Sequence, residues 1–141
     1  MTTATGNFRR QHHELGQLAS ELLAQASEPA LEDRAGEVSS VLSKLAGRIR
    51  VHAAMEDDAL YPRLLEHDDA EVRALGERFQ REFGGIYDAF LSFRERWTRD
   101  AIATDPEGFR LQARGVVNAL GARIQAENSE LYARVDALFP V

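Results

Sequence analysis

Four side chains in this sequence have the types and spacing to hold a metal ion: His12, His52, Glu56 and Glu127. His52 and Glu56 stand at i and i+4, so on a helix they project from one face, one turn apart. Imidazole and carboxylate together suit iron, manganese or zinc, and helical bundles build such sites from facing helices. His12 would add a nitrogen from the adjacent helix, and Glu127 a fourth ligand or a bridge from the opposite hairpin. Two buried carboxylates are costly without a cation between them. Arg123, one turn before Glu127 with a planar fork suited to carboxylates, competes with a metal for that role.

The elements that must position these groups are helical. Four long segments repeat apolar residues in steps of four and three, and none alternates with a period of two. The first lines up Phe8, His12, Leu15, Ala19 and Leu22, and the second Val38, Val41, Leu45, Ile49, His52, Glu56 and Leu60. The third lines up Leu75, Phe79, Phe83, Ile86, Phe90, Phe93 and Trp97; the fourth Phe109, Ala113, Val116, Leu120, Arg123, Glu127, Leu131, Val135 and Leu138. The pattern predicts helices over about 5–27, 35–66, 69–99 and 106–138. Asp68 with Glu71 resembles an N-cap and its reciprocal partner, and Asp105-Pro106 a cap followed by a first-turn proline. Pro62 should kink or end the second helix, and Gly84-Gly85 should ease bending or close approach in the third. Short connections make neighbours antiparallel, so the expected fold is all-α, an up-down-up-down four-helix bundle occupying residues 1–141 as one domain.

Shifting the sequence over itself by 71 residues aligns its halves. Phe8 falls on Phe79, Leu15 on Ile86, Ile49 on Leu120, Glu56 on Glu127, and Leu60-Tyr61 on Leu131-Tyr132. Under the same shift His12 falls on Phe83 and His52 on Arg123. One hairpin therefore presents His, His and Glu, and the other Phe, Arg and Glu, all on core stripes converging on one layer of the bundle.

Composition narrows the chemistry. The chain has no cysteine, which excludes disulfides, thiolate metal sites, iron–sulfur clusters and thiol catalysis. A net charge of −6 argues against a nucleic-acid partner, since counterion release needs a basic face. No apolar run approaches the ~20 residues that span a bilayer, and the N-terminal residues lack the basic and apolar regions of a signal peptide, so no membrane partner and a cytoplasmic location are expected. Arginine is the main cation, with Lys44 the only lysine, a bias suggesting a GC-rich bacterial genome. No phosphate-cradling loop, nucleophile motif or substrate cleft is evident, so no enzyme activity is expected.

The run Phe8-Arg-Arg-Gln-His-His-Glu-Leu15, followed by Ile49-Arg-Val-His-Ala-Ala-Met-Glu-Asp-Asp-Ala-Leu-Tyr-Pro62, resembles the hemerythrin-like HHE cation-binding family. The resemblance implies a four-helix bundle around a non-haem di-iron centre, with roles in oxygen binding, iron handling, or sensing of oxygen, nitric oxide or oxidative stress. His12 matches the first-helix ligand, His52 and Glu56 the second-helix pair, and Glu127 the fourth-helix acid; Glu82 matches an acid that often precedes the third-helix histidine. That histidine is Phe83 here, and the fourth-helix histidine is Arg123. Where some relatives carry a second third-helix histidine, this chain has Tyr87. At least two ligands of an ordinary di-iron site are thus missing, which argues against reversible oxygen carriage. The resemblance leaves two readings. Either His12, His52, Glu56 and Glu127 hold one ion, iron or alternatively manganese or zinc, with dioxygen or nitric oxide as partners when iron is bound; or no metal is held, and Arg123 replaces it in a structural or protein-interaction module.

Ordinary roles are expected for the remaining candidates. His13 falls on the polar face, and His67 sits at a helix end where a cation meets the C-terminal dipole. The aromatic stripe of the third helix reads as core, with Phe83 filling the volume of the absent ligand and drying the site. Tyr61 and Tyr132 read as packing residues. Tyr87 reads first as packing, with a hydrogen bond into the site or weak metal binding as the lesser alternative.

Overall fold

The structure is a computed structural model describing residues 3–139; residues 1–2 and 140–141, the ends of the expected domain, lie outside the described residues. It is helical throughout, with no strand among the described residues. Helix α1 spans Gly6–Ala26, and a 3₁₀ turn over Leu31–Arg34 leads into α2, Ala35–Ala59. Then come α3 (Tyr61–Leu65), α4 (Ala70–Phe83), α5 (Ile86–Arg96), α6 (Arg99–Thr104) and α7 (Pro106–Ala126). A π-helical turn over Glu127–Leu131 joins α7 to α8, Tyr132–Leu138.

The first long helix of the sequence pattern runs unbroken, and the other three are interrupted. Pro62 has no N–H to donate into α2, and the break falls two residues earlier, at Leu60. The third helix divides at Gly84-Gly85. Beside that break the buried position is Tyr87, 4% exposed, whereas Ile86 and Phe83 are only half-buried; Phe90, Phe93 and Trp97 beyond it are buried as expected. In α7, Val117 is buried in place of Val116. An additional helix, α6, fills the third connection; Thr98 caps it by accepting from Ala101 N, and Ile102 seals that end of the core.

The cap of α4 is Asp69, not Asp68: its Oδ1 accepts from Glu71 N at 2.8 Å. Extended backbone at Asp69 starts the helix one residue later than expected, so Glu71 supplies a backbone donor rather than a reciprocal side chain. Asp105 caps α7 by accepting from Gly108 N at 3.0 Å, with Pro106 in the first turn. Buried Gly76 lets α4 approach α3, where an added Cβ would stand 3.0 Å from Leu64 Cβ.

Side-chain pairs show how neighbours run. Gln11 meets Met55 while Glu14 meets Arg48; Tyr87 meets Glu56 while Arg94 meets Ser43; Trp97 meets Gln112 while Arg78 meets Glu130. In each case the chain positions run in opposite order. The apolar core forms two clusters, one containing Leu15, Ile49, Tyr87 and Leu120, the other Phe8, Leu60, Phe79 and Leu131. Along α1, α2 and α7 with its π turn, the buried His12, His52, Glu56, Arg123 and Glu127 fall between them. No helix among the described residues is long and apolar enough to cross a membrane.

Candidate metal centre

His12 on α1, His52 and Glu56 on α2, and Glu127 at the π turn meet in the layer between the two apolar clusters. Each offers one donor atom, these atoms lie within 4.8 Å of one another, and all four residues are buried. His52 Nε2 is 3.0 Å from Glu56 Oε1, and His12 Nε2 is 3.3 Å from Glu127 Oε1. Both rings point Nε2 inward because Nδ1 is engaged outside. His52 Nδ1 lies 2.6 Å from Gln11 Oε1, and Gln11 Nε2 in turn donates to the Met55 sulfur. His12 Nδ1 lies 2.8 Å from Asn128 Oδ1. An amide oxygen can only accept, so each Nδ1 carries the proton and each Nε2 offers a lone pair to the centre. Such outer partners orient and strengthen metal-binding imidazoles. The donor set therefore fits a cation that takes nitrogen and oxygen ligands.

Arg123 closes the other side. Its Nε donates to Glu127 Oε1 at 3.3 Å, its NH2 group to Glu56 Oε1 at 3.5 Å, and its NH1 group to the Phe83 carbonyl at 2.8 Å. The carbonyl is free because α4 ends there, and the negative end of that helix favours the cation. The guanidinium carbon lies 3.6 Å from the centre of the Tyr87 ring. Phe83 itself does not fill the layer. Its ring packs on Phe79, and Tyr87 takes the space.

All three tyrosines of the chain converge here. Tyr87 donates toward Glu56 Oε1 and Glu127 Oε1, each at 3.3 Å. Tyr61 donates to Glu127 Oε2 at 3.0 Å and Tyr132 to Glu56 Oε2 at 2.8 Å. Each half of the repeat thus lends its tyrosine to the carboxylate of the other half. Tyr61 and Tyr132 pack in the core as expected, and each in addition donates to a carboxylate. The available signal was a tyrosine five residues after the glutamate in both halves; Gln11 and Asn128, each adjacent to a core ligand candidate, offered none. Elsewhere, His13 is exposed, as is Glu82. His67 Nδ1 accepts from Asp69 N at 3.0 Å.

Protonation follows from this enclosure. Burial pushes Glu56 up to about 9, helped by the charge and hydrogen bond of Glu127. Burial also pushes Glu127 up, but its close contact with His12 and the Arg123 charge outweigh it and hold this carboxyl at about 2. Burial lowers His52 to about 4 against the pull of Glu127, with Arg123 lowering it further. A protonated Glu56 can donate to the lone pair of His52 Nε2, so a proton stands where a cation would bind. Burial, reinforced by the charges of Glu127 and Glu56, holds all three phenols protonated. Burial opposes the Arg123 charge, but Glu127, Tyr87 and Glu56 outweigh it.

A cleft of about 350 Å³ reaches this centre from outside, lined by Ala53, Asp57, Gln80, Gly84 and Asp88 and ending on Tyr61, Tyr87 and Arg123.

Comparison with known proteins gives one family. Neither the curated proteins nor the solved structures searched give a significant match. The model of the hemerythrin HHE cation-binding domain matches residues 3–135, and the chain belongs to that family.

Proposed function

We propose that this protein binds one transition-metal ion through His12, His52, Glu56 and Glu127, and acts as a binding or sensing protein rather than an enzyme. The observation carrying this reading is the pair of histidines that turn Nε2 toward two buried carboxylates while Gln11 and Asn128 engage Nδ1. A lone structural histidine has no need of a second imidazole and two carboxylates within 4.8 Å. Iron is the metal favoured by the family, with manganese and zinc suited to the same donors. The ion would supply Lewis acidity and, as iron, a place for a small ligand such as dioxygen or nitric oxide. One ion is favoured over two because Arg123 and Tyr87 occupy the opposite side of the carboxylates.

Elemental analysis of protein purified without a tag, before and after incubation with iron, tests this. About one ion per chain is expected, as tight binding at a buried site requires; less than about a tenth of an equivalent of every transition metal after reconstitution overturns the proposal.

A second reading has its own observation. Arg123 reaches both carboxylates, and among the described residues no buried polar atom of this layer lacks a hydrogen-bond partner. In that reading the guanidinium replaces the metal and the layer serves a structural or interaction role.

A further inference from the structure

The Tyr132 hydroxyl does more than cap a carboxylate. It lies 2.8 Å from Glu56 Oε2, 3.1 Å from His12 Nε2 and 3.5 Å from His52 Nε2. It therefore sits among three of the four donors of the centre, whereas the Tyr61 and Tyr87 hydroxyls reach carboxylate oxygens alone. We propose that Tyr132 is a further protein ligand of this site, binding as phenolate and favouring ferric iron. The proposal rests on the metal-binding reading above.

Three observations support it. First, the ring is fixed: it stacks on His12 with centroids 5.0 Å apart and packs against Phe8 at 5.8 Å, so the oxygen is held at the donors. Second, the π turn aims it. Tyr132 N donates to Glu127 O, five residues back, and this wider turn brings the tyrosine beneath the glutamate. Third, charge favours it. Arg123 neutralises one of the two carboxylates, so a cation held by Glu56 and Glu127 leaves excess positive charge in a buried layer. A phenolate oxygen offsets that excess, and a hard anionic oxygen suits ferric iron better than it suits softer ions. Binding breaks the phenol O–H bond and forms an oxygen–iron bond. The phenol proton and the proton held by Glu56 both leave to solvent and no electron moves, the cation's own field making the ionised phenol favourable.

The test loads the full chain with ferric citrate and, separately, zinc chloride, and records metal content, visible absorption and resonance Raman spectra. The iron form should show a phenolate-to-iron charge-transfer band with enhanced tyrosine ring modes, and the zinc form none. Tyr61→Phe and Tyr87→Phe should keep the band. Tyr132→Phe should lose it and bind ferric iron at least about ten-fold more weakly. Iron bound by the native chain without the band, or a band surviving in Tyr132→Phe, overturns the role of Tyr132 and leaves the metal site standing. Loss of the band in an iron-loaded Tyr61→Phe or Tyr87→Phe also overturns it, and decides the matter even where Tyr132→Phe does not fold. Failure of the native chain to take up any metal overturns both proposals.

Discussion

Glu56 is the residue on which solution conditions act most strongly. Its carboxyl keeps a proton to about 9 in the fold against an ordinary 4.5, so the folded state binds the proton that the unfolded chain releases. Stability from this group is complete below 4.5 and is lost as pH rises toward 9. His52 acts oppositely: lowered from 6.5 to about 4, it costs stability as pH falls through that window. Glu127, held at about 2, contributes above 4.5 and loses its contribution as pH falls toward 2. The signs combine into a plateau between 4.5 and 6.5, with decline on either side. Metal-free protein should lose on the order of 1–2 kcal/mol between pH 6.5 and pH 8.5 in urea denaturation, and Glu56→Gln should abolish that decline. Arg123 is the other residue with a large expected effect. Removing it as Arg123→Ala leaves Glu127 charged and buried, and should destabilise the metal-free chain by roughly 3 kcal/mol in the same assay. An unchanged midpoint would show that the guanidinium is not standing in for a cation.

At the scale of elements, the two halves of the repeat solve one problem differently. A tyrosine five residues beyond a glutamate lies off its face on a regular α-helix, where residues three and four apart are neighbours. In the first half Pro62 forces a break at Leu60, which resets the direction of the chain before Tyr61. Its counterpart Ala133 keeps its N–H, and there the helix widens into the π turn over Glu127–Leu131 instead. Both devices bring a tyrosine back to the centre. The helices that hold the centre also depend on their starts. Asp105→Ala removes the acceptor for Gly108 N at the beginning of α7 and should cost about 1 kcal/mol in urea denaturation, without changing metal content.

At the scale of the molecule, a charged layer is held between two apolar clusters, and the start of α1 is tied to α8 beside one of them. Thr5, fully buried, donates from N and Oγ1 to Asp136 at 3.0 and 2.8 Å, and Arg9 adds an ion pair to the same carboxylate. This tie joins the start of α1 to α8, beside the cluster that contains Phe8 and Tyr132. Thr5→Val keeps the shape but removes the hydroxyl donor, and should lower stability by about 1–2 kcal/mol by equilibrium unfolding. The near-ultraviolet signal of Tyr61 and Tyr132 should soften before that of Trp97, which lies in the other cluster.

The sequence by itself determined the helical class, the buried stripes of α1 and α2, and the meeting of His12, His52, Glu56 and Glu127. Helical periodicity and the half-chain repeat are local rules, and burial of these stripes follows from them directly. The rival place of Arg123 was legible for the same reason, since it lies one turn from Glu127. Only the tertiary structure decided what completes the centre. Tyr87 rather than Phe83 enters the layer beside the break at Gly84-Gly85, and Tyr61 and Tyr132 turn inward because a proline break and a π turn displace them from the regular period. Gln11 and Asn128 act from neighbouring positions on different helices, across contacts that no spacing within one helix encodes.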